Sequence, residues 1–204
     1  MELITYSFPM KKLIILCLAL AACAPFQPSN PDPASVPLDE RMKNPLFAQE
    51  YAKEMVNRLT ELEISKDPIL EDEKMAEYVQ KTKREWKNKD RSARKLKRMG
   101  IYGSFIGVDE HVVGDSLLMQ NYLYMGMNFI SAPGPDLHVF LSEEVDPRDV
   151  NFPDPTSVDL GLMESPFGAH RYSVPIVENI NRLRTAVLWD MKLNRLYGFA
   201  QLSP

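Results

Sequence analysis

The last 103 residues, 102–204, consist of short alternating runs that are separated by glycine and proline. The alternation is plainest at Leu137–Ser142 and at Ala186–Leu193. Successive side chains of a β-strand point to opposite faces, so a two-residue period predicts strands. Glycine and proline recur between the runs at intervals typical of turns. The region therefore predicts a mainly β fold, with a C-terminal antiparallel β-sandwich or barrel-like domain.

In residues 44–101 the apolar residues have the spacing of helices instead. Asn44 followed by Pro45 is typical of a helix start, and Asp67-Pro68 repeats the signal. Large apolar residues recur at three- and four-residue intervals after each signal. The pattern predicts a short two-helix segment, about 47–63 and 69–97, before the β domain at 102–204.

The N-terminal residues have the pattern of a targeting signal rather than of a folded domain. Lys11 and Lys12 precede an apolar run too short for the roughly 20 residues of a membrane-spanning helix, so residues 1–22 are predicted to be a signal peptide. The run ends in Leu20-Ala21-Ala22-Cys23, which resembles the bacterial lipobox. That resemblance implies cleavage before Cys23 and attachment of lipid, palmitate included, to Cys23. Met10 is a possible start as well as Met1.

Residues 23–43 are predicted to be a lipidated, proline-rich tether. Cys17 is lost with the signal peptide, so the mature chain keeps no free thiol. In the lipoproteins of Gram-negative bacteria, an aspartate directly after the lipidated cysteine favours retention at the inner membrane. This chain has Ala24 at that position, so the resemblance slightly favours the outer membrane. We therefore expect an exported domain in the cell envelope, lipid-anchored to a bacterial membrane.

The end of the second predicted helix is strongly basic. Residues 81–98 hold ten basic and two acidic side chains, a local charge of +8, whereas residues 102–204 hold six and thirteen, a charge of −7. Near a lipid anchor, such a cluster favours an anionic surface as the partner of Lys81–Arg98, either lipid head groups or another envelope polymer. A solvated helix end is the alternative. Export argues against nucleic acid.

Several motifs of the β region resemble the DM-thirteen domain. They are Gly103-Ser104-Phe105, His111–Asp115, Gly134–Ser142, Tyr172–Pro175 and Gly198–Leu202. The resemblance covers nearly all of residues 103–202 and leaves out the helices and the tether. It implies an all-β extracytoplasmic module, found beside DOMON and cytochrome-type domains and proposed to take part in electron transfer.

One position departs from this family. Its members place a cysteine, the proposed redox residue, directly after a strand tryptophan, but the pair here reads Trp189-Asp190. Aspartate cannot cycle between thiol and disulfide. Either the Asp190 face of the strand is solvated, or Asp190 is partly buried and needs a partner such as Arg182 or Arg184.

Other chemistry-bearing residues favour structural explanations. His111 lies near Asp109 and Glu110, which predicts a surface hairpin, with a metal site as the alternative. His138 is expected on a strand face with a hydrogen-bond partner, and His170 in a loop or turn.

Two further groups lie in the β region. The acidic residues of 143–154 predict a solvated loop, with weak calcium binding as the alternative. Met119, Met125 and Met127 predict core packing, with a thioether copper site as the alternative. No metal ligand, catalytic residue or cofactor is predicted, and no cofactor-binding residue is identified.

These observations indicate a membrane-anchored envelope lipoprotein. Its DM-thirteen-like β domain is expected to act as a non-enzymatic binding or accessory module, with an unknown envelope or redox protein as partner. The alternative is an extracytoplasmic electron-transfer protein that holds a cofactor or metal. A third possibility is a structural protein whose helices oligomerise.

Overall fold

The computed structural model describes residues 36–203. The predicted signal peptide, Cys23 and residues 23–35 of the predicted tether lie outside this range. Within it, three helices precede the strands: α1 (Leu38–Arg41), α2 (Pro45–Ile64) and α3 (Glu73–Lys97). No helix of this part is long and apolar enough to cross a membrane.

Eleven short strands follow in residues 101–201. They are β1 (Ile101–Ser104), β2 (Ile106–Gly107), β3 (Val112–Val113), β4 (Asp115–Met119), β5 (Tyr122–Met125), β6 (Ile130–Ser131), β7 (Leu137–Ser142), β8 (Val158–Leu162), β9 (His170–Ser173), β10 (Thr185–Asp190) and β11 (Arg195–Gln201). One sheet has the order β1-β4-β5-β9, a second β2-β11-β10-β7-β8, and β3 pairs with β6. All pairings between these strands are antiparallel.

The main core lies between the four-stranded and five-stranded sheets. Leu123 and Met125 of β5 are fully buried there, as are Val139, Leu141 and Leu188 of the facing sheet. Burial of such side chains contributes about 1.5–3 kcal/mol each. The predicted mainly β fold is confirmed as a sandwich, and no sheet closes into a barrel within residues 36–203.

A second apolar layer covers the outer face of the five-stranded sheet. Trp189 and Phe140 lie on that face, and Phe152 from the loop after β7 packs on them with ring centroids 5.2 and 5.5 Å away. All six residues of β10 are therefore buried. This explains why the β10 sequence lacks a polar face.

Asn44 joins the helical segment to the sandwich. Its side-chain oxygen accepts hydrogen bonds from the N–H groups of Leu46 and Phe47, so the predicted helix start is confirmed. Its side-chain nitrogen donates to the carbonyl oxygens of Met125 at 2.8 Å and His170 at 3.2 Å. One buried amide thus caps α2 and fixes it to β5 and β9.

The helical segment differs from the prediction in two places. A third, four-residue helix, α1, occupies part of the predicted tether. The second long helix begins at Glu73 rather than near residue 69, after a separate 3-10 turn at Pro68–Glu71. The helix begins at Glu73 because Asp72 caps it: the Asp72 carboxylate accepts hydrogen bonds from the N–H groups of Lys74 and Met75.

Two turns interrupt runs that looked continuous in the sequence. The alternation predicted to reach Leu193 ends at Asp190, where a turn begins. The apolar run that contains Met119 and Met125 is a hairpin of β4 and β5. Gln120 at its turn has φ 54°, a conformation that polar turn residues adopt more readily than bulky apolar ones.

Candidate functional site

Asp190, which the resemblance places at the position of the family's cysteine, is the last residue of β10. It lies opposite Leu137 on β7 and Arg195 on β11. Its side chain points into the core between the sheets, as that of Leu188 does, and is 0% exposed. The alternative of a solvated face at this position is therefore wrong.

Backbone N–H groups, rather than an arginine, hold this buried carboxylate. Oδ1 accepts from the N–H of Lys192 at 3.0 Å and of Leu193 at 2.8 Å, and Oδ2 accepts from the N–H of Asp136 at 3.1 Å. Neither Arg182 nor Arg184 is its partner. Arg182 pairs with Glu143 at 2.6 Å instead. Asp190 thus ties the β10–β11 turn to the loop that leads into β7.

Gly134 and Tyr197 complete the wall around Asp190. A Cβ atom on Gly134 would lie 2.5 Å from Asp190 Oδ2 and 2.9 Å from the Tyr197 hydroxyl oxygen, so the loop approaches this closely only as glycine. The Tyr197 hydroxyl donates to the carbonyl oxygen of Pro133 at 3.2 Å. Burial and the negative charge of Asp190 raise the pKa of Tyr197.

A small cleft lies on the solvent side of Gly134. Its volume is about 120 Å³, and it is lined by Pro133, Gly134, Leu137, Leu162, Met163 and Pro166. Asp190 is fully buried and is not among the residues that line this cleft. A larger open groove of about 780 Å³ lies among the helices, next to Trp86 and Ala93.

His138 lies on the outer face of β7, opposite Trp189. Its Nδ1 is 2.9 Å from Asp159 Oδ2, and its Nε2 is 3.7 Å from Asp136 Oδ1. The prediction of a strand-face histidine with a hydrogen-bond partner is confirmed. Asp136 therefore contributes a backbone N–H to Asp190 and a carboxylate near His138.

His111 is exposed in a surface turn, and its acidic neighbours have other partners. Glu110 and Asp109 lie 3.1 and 3.9 Å from Arg195. Within residues 36–203, no group of three or more His, Cys, Asp or Glu side chains is placed to hold a metal ion.

His170 is a strand residue rather than the loop or turn residue that was predicted. It is the first residue of β9 and is buried with 8% exposure. Its ring lies edge-on to Phe129, and Nε2 is 3.1 Å from the carbonyl oxygen of Phe167. Burial lowers the pKa of His170 below its ordinary value.

Asp154 was predicted in a solvated loop, but it is 8% exposed and organises that loop. It accepts hydrogen bonds from the hydroxyls of Ser157, Thr156 and Ser142 and from the Thr156 N–H. Burial alone would raise the pKa of Asp154, but these hydrogen bonds outweigh it and lower the pKa. The closely spaced Asp154, Thr156 and Ser157 were the available sequence signal.

The basic stretch Lys81–Arg98 lies almost wholly on α3. Lys83 pairs with Glu63 at 2.6 Å between α2 and α3, and Arg94 pairs with Asp90 at 3.0 Å. Several of the remaining basic side chains are exposed to solvent. Met119 and Met125 are buried in the β hairpin, as predicted. Met127 follows the hairpin and is 44% exposed, so its predicted core packing is wrong.

The fold and this site define a small antiparallel β-sandwich domain whose strand-end loops close around one buried side chain. A family model described as Electron transfer DM13 matches residues 106–202. Residues 106–202 of this chain thus match the DM13 family model, the family predicted from the motifs. The match leaves out β1 and all three helices. Searches of curated proteins and of solved structures found no match.

Proposed function

We propose that this chain is a membrane-anchored envelope lipoprotein whose DM13 domain is a non-enzymatic binding or accessory module. The observation that carries the proposal is Asp190, a buried carboxylate with three N–H donors at the position of the family's cysteine. A carboxylate offers no thiol for disulfide chemistry. The geometry supports a structural role for this position, in which it fixes two loops.

The anchor in this proposal is Cys23, which ends the segment Leu20-Ala21-Ala22-Cys23. Cleavage before Cys23 would remove Cys17 and leave one cysteine, which the lipid would occupy. The chain would then hold no free thiol at all. The exported domain would face an envelope compartment, with the outer membrane slightly favoured, and its partner would be an envelope or redox protein.

Labelling with a palmitate analogue tests the anchor. The full chain should incorporate label, Cys23→Ser should not, and the matched control Cys17→Ser should still do so. Label that persists in Cys23→Ser, or that is absent from the unaltered chain, would contradict the lipid site.

A second candidate function is electron transfer, and the description of the matching family favours it. Within residues 36–203, no group of three or more His, Cys, Asp or Glu side chains is placed to hold a metal ion. Absorption spectroscopy and metal analysis of the purified full chain separate the two candidates. A bound chromophore, or stoichiometric copper or iron, would favour electron transfer over the binding module.

A further inference from the structure

Five basic side chains form a straight row on the exposed side of α3, which we name the basic stripe. Its members are Arg84, Lys87, Arg91, Lys95 and Arg98, spaced by three, four, four and three residues. At 3.6 residues per turn and 1.5 Å per residue, they fall within an arc of about 80° over about 21 Å. All five are exposed, and none forms an ion pair within residues 36–203.

Four neighbouring basic side chains on α3 have partners on the protein. Lys83 and Arg94 form the ion pairs with Glu63 and Asp90. The ammonium groups of Lys89 and Lys97 lie 3.9 Å from the ring centroids of Trp86 and Tyr102. Among the ten basic residues of Lys81–Arg98, these four are partnered and the five stripe residues are not. Lys81 is also exposed and forms no ion pair among the described residues, but it lies outside the arc of the stripe.

Helix stability does not account for the stripe. Basic side chains near the C-terminus of a helix interact favourably with its dipole, but this effect is confined to the last turn. Lys95 and Arg98 lie there, whereas Arg84 and Lys87 lie near the middle of α3. Like charges three and four residues apart destabilise a helix by about 0.2–0.5 kcal/mol per pair.

We propose that the basic stripe binds the phosphates of anionic lipid head groups and holds α3 against the membrane surface. The lipid source rests on the proposed anchor at Cys23, because a basic patch is a common second signal beside an acyl chain. Each Lys or Arg side chain near an anionic membrane surface contributes about 1 kcal/mol to the free energy of binding. The charge of −7 on residues 102–204 is repelled by the same surface, so the sandwich faces away from it.

Vesicle binding by residues 24–204 tests the proposal without the acyl chain. This protein retains all of the compact unit formed by residues 36–204. The test variant replaces the five stripe residues with Gln, which retains good helix propensity. The control variant replaces five other exposed bases with Gln and has the same net charge: Lys43, Lys53, Arg58, Lys66 and Lys74.

Binding is measured by sedimentation with phosphatidylglycerol-containing vesicles and with pure phosphatidylcholine vesicles. We expect the unaltered protein to bind only the anionic vesicles, the stripe variant to bind at least tenfold more weakly, and the control variant to stay within about threefold. Binding should weaken as salt is raised. Circular dichroism establishes that both variants are folded.

Three results would overturn the proposal: equal weakening of the two variants, no binding of the unaltered protein to anionic vesicles, or stripe-dependent binding to a soluble anionic polysaccharide without vesicle binding. Failure of the Cys23 labelling experiment would refute the anchor alone, because these vesicle measurements use no acyl chain.

Discussion

Replacement of Asp190 with alanine removes a side chain that joins the β10–β11 turn to the loop before β7 through three hydrogen bonds. The N–H groups of Lys192, Leu193 and Asp136 lose their acceptor together. The Asp190 side chain is fully buried, and Gly134 packs against it.

The size of the effect follows from two opposing contributions. Hydrogen bonds to a charged group contribute about 1.5–3 kcal/mol each, but burial of the carboxylate costs several kcal/mol. Loss of the charged acceptor from three partly buried N–H donors should therefore lower the free energy of unfolding by about 3–5 kcal/mol. Asp190→Asn should lose less, about 2–3 kcal/mol, because one oxygen can still accept from the turn.

Urea unfolding of residues 24–204, followed by tryptophan fluorescence, measures these differences. Asp149→Ala is the matched control, because Asp149 is an exposed aspartate in the same domain, and it should change the stability by less than about 0.5 kcal/mol. A loss below about 1 kcal/mol for Asp190→Ala would refute the structural role assigned to this carboxylate.

Three further substitutions probe other parts of the fold. Gly134→Ala should lower the free energy of unfolding by about 1–3 kcal/mol, because its Cβ would meet Asp190 Oδ2 at 2.5 Å; an unchanged urea midpoint would contradict the packing. Asn44→Ala should lower the free energy of unfolding by about 2–3 kcal/mol in the same assay, because the helix cap and the hydrogen bonds to two strand carbonyls both disappear. A loss of only about 1 kcal/mol, which the cap alone explains, would contradict the role of Asn44 in fixing α2 to the sandwich.

The third substitution, Asp154→Asn, is tested through the pH dependence of the free energy of unfolding. Asp154 has a lowered folded pKa, so its stabilisation is complete above its unfolded pKa near 3.9 and is lost as the pH falls through the folded value. Asp154→Asn should therefore flatten the acid side of the stability profile, measured by urea unfolding at a series of pH values. An Asp154→Asn profile that stays parallel to that of the unaltered protein would exclude this contribution.

The sequence predicted the elements whose signals are local. Asn44 and Pro45 marked the start of α2 because capping depends on residues within one turn. The alternation of β7 marked a strand because side chains inside the sandwich recur every second residue. Two of the quoted motifs also have a glycine or proline just outside a strand: Gly134 precedes β7 and Pro175 follows β9.

The partners of Asp190 could not be predicted in this way. Its contact with the Asp136 N–H joins residues 54 positions apart, and strand alternation alone leaves the burial of a face open. The local half of the site was visible in principle, since an aspartate that accepts N–H groups two and three residues later is typical of an Asx turn. Asp154 was missed for a related reason: an acidic loop looks solvated until Phe152 is seen to bury it against Trp189.

A redox titration of the purified full-length protein tests the central claim most directly. If Asp190 stands where the family has its redox cysteine and Cys23 is the proposed lipid site, we expect the protein to take up no electrons between oxidised and reduced conditions. Reversible uptake of one or more electrons per molecule would contradict the account and would assign the DM13 domain of this chain to electron transfer.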